Sequence, residues 1–293
     1  MVGKIKDREI KALVSMVDDP DPKVFREISG KILHYGEDAI PFLEQCMERM
    51  DDEALRHRLE RLMKDIRYHT ILHALKKLVL KDDPAELFQA WIWVSRLHYP
   101  DIDQAAIDGE IEAIRKDAWL EMNDNLTALE QVKVFNHVFY GVHRFSGNMD
   151  HFHDPDNSFI NRVLKTRRGN PLSIGLIYML VARSLNMPIM GINLPEHFVL
   201  AYMGETIDTE SLQMQYDKPL FYINAFSNGD MFSAKEINDF LDKLDLEPLP
   251  VFFEACSNRE IILRMLNNLV ISYDHAGEEE KKADIAAIRD KLQ

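Results

Sequence analysis

Cysteine is scarce in this sequence, whose 293 residues contain only two, Cys46 and Cys256. The two lie far apart and form no CxxC pair, which is typical of a protein of a reducing cytoplasm. Both are expected to be small buried apolar side chains rather than members of a disulfide framework. The sequence therefore predicts a cytoplasmic protein whose stability comes from its core.

Long apolar runs and an excess of positive charge are also missing. No stretch of 18 or more apolar residues occurs, so no membrane span is expected. The first residues, MVGKIKDREIKAL, carry charges too early and too often for a signal peptide. The formal net charge is −14, which argues against a general binder of nucleic acid or of anionic membranes. We expect neither among the partners.

Cofactor and metal signatures are absent from the sequence as well. There is no phosphate-binding glycine loop and no dinucleotide fingerprint. The cluster His151, His153, Asp154 and Asp156 could be a metal site or a solvated loop, and it fits no calcium-loop pattern. We interpret it as a solvated loop and predict no cofactor and no bound metal.

The composition is that of an ordinary globular protein, with 46% apolar and 29% charged residues. Residues 1–82 show apolar residues at helical spacing, interrupted by the breaker Asp18-Asp19-Pro20-Asp21-Pro22. Part of this region resembles a single helical repeat of the HEAT type. Because solenoids usually need about three or more repeats, a plain helical bundle is the competing interpretation.

The most informative stretch lies between residues 167 and 202. Asn170 can cap a helix, Pro171 suits the first helical position, and Ser173 falls in the first turn. The apolar residues that follow at helical spacing predict a buried helix; they are Leu176, Ile177, Leu180, Val181 and Leu185. Arg167 and Arg168 precede this helix and could attract an acidic group or simply end the helix before it.

After this helix the apolar period changes from 3.6 to 2, which predicts strands. The predicted strands are 188–193, 197–203, 205–208 and 220–225, with a tight turn at Gly204-Glu205. Ser233 and Glu236 form a capping box that begins another helix. Residues 248–293 read as two helices, which resemble a tetratricopeptide-like tail or an ordinary helical hairpin. We therefore predict an α+β protein with three parts, 1–82, 83–247 and 248–293.

Four sequence blocks carry a family resemblance over residues 135–292. They are FNHVFYGVHRFSGN, DPDNSFINRVLKTRRGNPLSIGLIYMLVARSLNMP, GINLPEHFVLAY and FYINAFSNGDMFSAKEI. In this order they resemble the SirB-type family, bacterial proteins of the transglutaminase-like superfamily. The resemblance implies a papain-like core, in which a helix packs on an antiparallel sheet, with helical flanks.

The resemblance also implies where a site would lie. In the superfamily a cysteine at a helix N-terminus faces a histidine on a neighbouring strand, and the matching positions here are Ser173 and His197. The third position is Asn224 or Asp208. We favour Asn224 because residues 220, 222 and 224 of a strand share one face and can present Asn224 beside His197. The hydroxyl of Ser173 is expected within about 4–5 Å of a ring nitrogen of His197.

The serine decides the predicted function. A thiol at a helix start can become a thiolate, but a hydroxyl has no accessible anion near neutral pH. We therefore expect a non-catalytic module that binds another protein or peptide and regulates it. The alternative is a hydrolase or acyltransferase of amides or esters that uses Ser173, His197 and Asn224 or Asp208. Replacing Ser173 by cysteine is expected to create a reactive thiol.

Overall fold

The structure, a computed structural model, describes residues 2–19, 21–49, 51–207 and 214–293. The side chains of residues 2–5, 205–207 and 214–217 are not described. The chain divides into two compact units, Met1–Lys77 and Leu78–Gln293.

The first unit is helical. Its helices are α1 (Val2–Val14), α2 (Pro22–Leu33), α3 (Ile40–Met47) and α4 (Glu53–Leu78), with a short 3₁₀ turn at Gly36–Ala39. Asp21 accepts a hydrogen bond from the Lys23 backbone N–H, and Pro22 follows as the first helical residue, so the predicted breaker is also the start of α2. The buried side chains of these helices share one core; examples are Ile10, Ile32, Leu43 and Leu59.

The second unit contains eight further helices among the residues that the structure describes. They are α5 (Pro84–Arg96), α6 (Gln104–Glu121), α7 (Ala128–Asn136), α8 (Ile160–Thr166), α9 (Pro171–Ser184), α10 (Ala234–Lys243), α11 (Asn258–His275) and α12 (Glu279–Leu292). A π-helical turn, His137–Val142, continues α7. No helix of the described chain is long and apolar enough to span a membrane.

Helix α9 is the centre of this unit, as its sequence predicts. Asn170 caps it and Pro171 is its first residue, and residues 172–182 are all buried. Helices α5, α6 and α8 and the strands described next contact it. Tyr178 packs edge-on against Phe135, with ring centroids 4.5 Å apart, and its hydroxyl donates to Asn136 Oδ1. A helix that is apolar all round is thus surrounded on every side.

Two sheets belong to this unit. Strands β1 (Ser146–Gly147) and β2 (Arg168–Gly169) form a short parallel pair beside the start of α9. The main sheet has the order β3 (Ile189–Asn193), β4 (Phe198–Ile207), β5 (Met214–Asn224) and β6 (Asp230–Phe232), and all of its pairs are antiparallel. This arrangement confirms the predicted α+β class, a helix packed on an antiparallel sheet.

The predicted turn at Gly204-Glu205 is wrong, because β4 runs through both residues as one strand. The register of β4 and β5 shifts here instead, between Met203 and Glu205. A Cβ on Gly204 would lie 3.2 Å from the Lys218 carbonyl oxygen, so the glycine marks a close approach of two backbones at a bulge. Strand β6 was not predicted, since three residues carry too little periodicity.

The last two helices pack on each other and α11 packs on α5. Ser257, rather than the next residue, caps α11 through a capping box with Glu260. Asn258 instead reaches far along the chain: its side chain donates to the carbonyl oxygens of Lys81 at 2.7 Å and Asp83 at 2.8 Å. The predicted parts 83–247 and 248–293 both lie in the second unit, and the three-part division remains a prediction.

Candidate functional site

Ser173 lies in the first turn of α9 and is only 1% exposed. Its Oγ accepts a hydrogen bond from the Asn170 backbone N–H at 3.0 Å and donates to the Asn170 carbonyl oxygen at 3.2 Å. In return, the Ser173 N–H donates to Asn170 Oδ1 at 2.9 Å. The hydroxyl is therefore part of a capping box that begins the helix. The hydroxyl thus accepts one hydrogen bond and donates another, both with the Asn170 backbone at the start of the same helix.

A buried polar network continues outward from this capping box. The Asn170 side chain donates to Ser158 Oγ at 2.9 Å, and the Trp91 indole donates to the Ser158 carbonyl oxygen at 2.8 Å. The Asn157 side chain donates to the carbonyl oxygens of His151 and Phe152. Asn157 Oδ1 accepts from Asn148 Nδ2 at 2.8 Å. The network ties the loop before α8 to the start of α9.

Sequence reasoning missed this network. Asn157 and Ser158 stand just before α8, but Phe159 is the residue that precedes this helix, and the Phe159 side chain makes no capping hydrogen bond. Both residues are buried, at 3% and 1% exposure. Two adjacent polar residues that precede an apolar helix were the available signal. Their long-range partners could not be read from local spacing.

His197 lies against α10. It immediately precedes β4, is exposed, and its ring packs edge-on against Phe240 of α10 with centroids 5.0 Å apart. No hydrogen bond joins His197 to Ser173 among the interactions of the described residues. The pair that the resemblance implies is therefore not hydrogen-bonded in this structure.

The pleat of β4 explains this placement. A Cβ on Gly175 of α9 would lie 3.0 Å from the Phe198 ring and 3.7 Å from Leu200, so these two side chains face α9. Val199 and Ala201 share a core cluster with α10 instead; its members there are Ile237 and Leu241. Since successive side chains alternate, His197 belongs with Val199, on the α10 side of the sheet.

Asn224 ends β5 and acts as a cap. Its Oδ1 accepts hydrogen bonds from the backbone N–H groups of Phe226 at 3.1 Å and Ser227 at 3.2 Å. Because Leu200 pairs with Ile223 in the register, Asn224 lies at the same end of the sheet as His197. Its carboxamide oxygen is already used by the turn that follows. Asp208, the competing candidate, lies outside the described residues.

The other charged candidates have local roles. Arg167 adopts a left-handed conformation that ends α8, pairs with Glu110 and lies over the Phe145 ring. Arg168 lies 3.6 Å from an Asp150 carboxylate oxygen. His153 stacks on His275, with ring centroids 3.9 Å apart. Among the described residues no group of three or more His, Cys, Asp or Glu side chains could hold a metal ion.

A cavity of about 550 Å³ opens beside the start of α9 and is called the α9 cavity below. Its apolar walls come from the α9 start, the loop after β3 and the segment before α11; they include Leu172, Leu194, Phe198 and Phe252. One face of α11 completes it and contributes Arg264, Asn268, Ile271 and Ser272. Cavities of this size, with mostly apolar walls and a few polar groups, are typical of small-ligand sites. His197 does not line it.

Neither cysteine carries an activated thiol. Burial raises the pKa of the Cys256 thiol to about 12, and its Sγ donates to the Gly191 carbonyl oxygen at 3.1 Å. Burial also raises the pKa of Cys46, in the first unit. Thiols that stay protonated at neutral pH are poor nucleophiles.

Comparison with known proteins identifies the family. Residues 105–267, more than half of the chain, match the family described as the transglutaminase-like superfamily. A UPF0162 protein of Xylella fastidiosa is 26% identical over 212 residues, which cover 70% of this chain and 71% of the relative. A UPF0162 protein of Vibrio cholerae is 27% identical over 187 residues, covering 63% and 65%.

A longer relative matches a shorter segment. F-box only protein 21 of Mus musculus is 29% identical over 139 residues, which cover 46% of this chain and 20% of that protein. No solved structure matches. The superfamily match spans α6 to α11, and so contains Ser173, His197, Asn224 and most of the α9 cavity. The chain belongs to the transglutaminase-like superfamily.

Proposed function

We propose that this chain is a non-catalytic, SirB-type member of its superfamily, a cytoplasmic module that binds another protein or peptide and regulates it. The observation that carries the proposal is the state of Ser173. Its hydroxyl is buried and both of its hydrogen-bonding roles are used by Asn170. Serine occupies the position at which the superfamily has its nucleophilic cysteine. Its side chain takes part in the capping box that begins α9.

A working serine nucleophile needs a base in line with its hydroxyl and donors for the oxyanion that forms. Here the exposed His197 ring packs on Phe240, on the α10 side of the sheet. The carboxamide oxygen of Asn224 accepts hydrogen bonds from the backbone of the turn after β5. Acyl transfer through Ser173, His197 and Asn224 or Asp208 would require the capping box to open and His197 to change faces. These requirements favour binding over hydrolase or acyltransferase activity.

The binding side of the proposal rests on the α9 cavity. Two large apolar side chains at its rim are exposed, Phe152 at 45% and Ile271 at 51%. Apolar side chains beside a concave site are typical of surfaces that a partner covers. The similarity to F-box only protein 21 covers a fifth of that protein, so a related segment also occurs as one part of a longer chain. The exposed apolar rim and the occurrence of a related segment in a longer protein both support a module that acts by binding a partner.

The catalytic half is tested by labelling. Purified wild-type protein is treated with a serine-directed fluorophosphonate probe, and modification at Ser173 is followed by mass spectrometry. We expect no label at this residue, because its hydroxyl is buried and is hydrogen-bonded to the Asn170 backbone rather than to a general base of the described residues. The Ser173→Ala variant is the control for background. Label at Ser173 that the control lacks, or amidase or esterase turnover that the control lacks, would refute the non-catalytic assignment.

The binding half is tested by comparing two matched surface variants. Ile271→Asp places a charge at the rim of the α9 cavity, and Leu129→Asp places one at an equally exposed site on α7. Proteins cross-linked to the wild type in the native cell should be lost with Ile271→Asp and kept with Leu129→Asp. Equal retention by both variants would remove the cavity from the proposal.

A further inference from the structure

Arg264 on α11 has no counter-ion among the residues that the structure describes. Its Nη1 donates to the side-chain oxygen of Asn193 and to the Leu194 carbonyl oxygen, both of which are neutral. No carboxylate of the described residues lies within salt-bridge distance of it, and Glu196, at the cavity rim, forms no such pair. Burial is the main influence on this guanidinium and lowers its pKa. A partly buried charge without an ion pair is unusual in a folded protein.

The unpaired edge of Arg264 is available to a ligand. Nε and Nη2 form no hydrogen bond with any described residue, and neither is among the buried polar atoms that lack a partner, so both are reached by solvent. Arg264 lines the α9 cavity. The Nε–Nη2 edge of a guanidinium matches a carboxylate, which can accept two parallel hydrogen bonds from it. The hydrogen bonds from Nη1 to Asn193 and Leu194 fix the position of the guanidinium.

The helix face that carries Arg264 offers a second free group. Arg264, Asn268, Ile271 and Ser272 follow at i, i+4, i+7 and i+8 and all line the cavity. The Asn268 carboxamide has no partner among the described residues. A free carboxamide can donate to one peptide carbonyl and accept from one peptide N–H. Two groups one helical turn apart on α11 therefore face the same cavity. The Arg264 guanidinium can bind a carboxylate, and the Asn268 carboxamide can hydrogen-bond a peptide backbone.

Resting on the proposed binding function, we infer that the α9 cavity binds the free C-terminus of a partner peptide that ends in an apolar residue. Arg264 pairs with the terminal carboxylate, and Asn268 bonds the backbone one residue before it. The apolar walls, Leu172, Leu194, Phe198 and Phe252, take the last side chain. A chain end presents a carboxylate and an apolar side chain on the same residue, which an internal acidic residue does not. The lining combines both features in one cavity.

Charge favours a short-range mode of recognition. The whole chain carries a formal charge of −14, and Glu196 stands at the rim, so the overall field does not attract an acid from a distance. The gain comes from pairing a partly buried guanidinium that has no counter-ion among the described residues. Because salt screens partly buried pairs less than exposed ones, we expect the affinity to depend on salt only weakly.

The test compares peptides on the wild-type protein, so it does not depend on any variant. Three fluorescein-labelled octapeptide pools are used. The first ends in Leu, Phe or Val with a free carboxylate, and the second ends in the corresponding amide. The third ends in the amide but carries Glu just before the last residue. Fluorescence anisotropy should show the first pool binding roughly tenfold or more tightly than the other two.

Variants then assign the contact. Arg264→Gln should remove the preference for the free carboxylate, Arg264→Lys should keep part of it, and Asn268→Ala should weaken all three pools equally. The controls are Arg168→Gln, an exposed arginine of the same unit, and Asn267→Ala, the exposed neighbour of Asn268. Thermal unfolding establishes that each variant is folded. If Arg264→Gln unfolds, the comparison of free-acid and amide peptides on the wild-type protein still tests whether the cavity recognises a terminal carboxylate.

Three outcomes would overturn the inference: equal binding of acid and amide pools, tightest binding of the internal Glu pool, or no binding of any pool up to millimolar concentration. None of these bears on labelling of Ser173, which tests catalysis. Conversely, label at Ser173 would refute the non-catalytic proposal and leave the acid-over-amide preference standing. The two failures are therefore distinguishable.

Discussion

Gly169 lies directly against the hydroxyl of Ser173, and any Cβ at position 169 would overlap the serine Oγ. The same Cβ would also lie 3.2 Å from Val163 Cγ1 and 3.3 Å from Ile174 Cδ1. The residue before the cap of α9 thus closes the space around the serine. A side chain at position 169 would therefore compete with the serine hydroxyl for the same space.

The first prediction follows from this contact. Gly169→Ala should lower the free energy of unfolding by about 1–3 kcal/mol, because the added methyl overpacks a buried site. The double variant Gly169→Ala/Ser173→Ala should lose less than the sum of the single variants, since the overlapped atom is gone. Urea unfolding measures all three. Gly109→Ala, where an added Cβ meets nothing within 4 Å, is the control and should be stabilising. Strict additivity would show that the overlap is absent.

The second prediction concerns a thiol at position 173. The sequence alone led us to expect that Ser173→Cys would be reactive, but the structure gives reasons for the opposite. The side chain is buried, no imidazole bonds it, and burial raises a thiol pKa. In a background with Cys46 and Cys256 replaced, iodoacetamide labelling against pH should give an apparent pKa near 8.5 or above. A value well below this would mean that a cation or the helix start dominates the site.

The third prediction concerns the network behind the cap. Asn157→Ala should cost about 1–3 kcal/mol of unfolding free energy, because it removes a buried side chain that donates to the carbonyl oxygens of His151 and Phe152 and accepts from Asn148. Guanidinium unfolding measures the loss. Asn267→Ala, at an exposed position on α11, should change the stability by less than about 0.5 kcal/mol. Equal effects from both variants would show that the network contributes nothing beyond a surface contact.

The fourth prediction concerns pH. Burial, and secondarily the charge of Lys281, lower the pKa of His98, whose Nδ1 lies 3.0 Å from the Tyr273 hydroxyl. The unfolded chain therefore binds a proton at higher pH than the folded protein does. This contribution to stability is present above about pH 6.5 and is lost as the pH falls through the lower folded-state pKa.

The double variant His98→Phe/Tyr273→Phe removes both the titration and the hydrogen bond while keeping the rings. Urea midpoints between pH 5 and 6.5 should fall on acidification less steeply than those of the wild type. The window lies above the range in which most carboxylates titrate, so the comparison isolates the histidine. Parallel slopes for the two proteins would show that His98 titrates normally.

The start of α9 could be predicted from sequence because its signals are local. Asn170 followed by Pro171 favours a helix start in almost any surroundings, and so does the capping box of Ser233 and Glu236. The face of β4 could not be predicted in the same way. Alternation establishes that His197 and Val199 share a face, but only packing decides whether that face meets α9 or α10.

The α9 cavity was also beyond local reasoning. Arg264 reaches Asn193 and Leu194 across about seventy residues, and no pattern within one helix shows that this arginine lacks a counter-ion. The resemblance to known proteins placed Ser173 correctly at the helix start. It could not show that the serine hydroxyl serves as a cap, because the neighbouring glycine and asparagine act through three-dimensional contacts.

The bonds of Asn258 have a consequence for the order in which this protein forms. Its side chain and backbone join Lys81, Asp82 and Asp83, 175 to 177 residues earlier in the chain. On the ribosome, α5 therefore emerges long before the residues that fix its beginning. Contacts between distant segments form late and slow the search for the native state. The second unit can close only after α11 has been synthesised, and until then the apolar faces of its earlier helices can be buried only against one another.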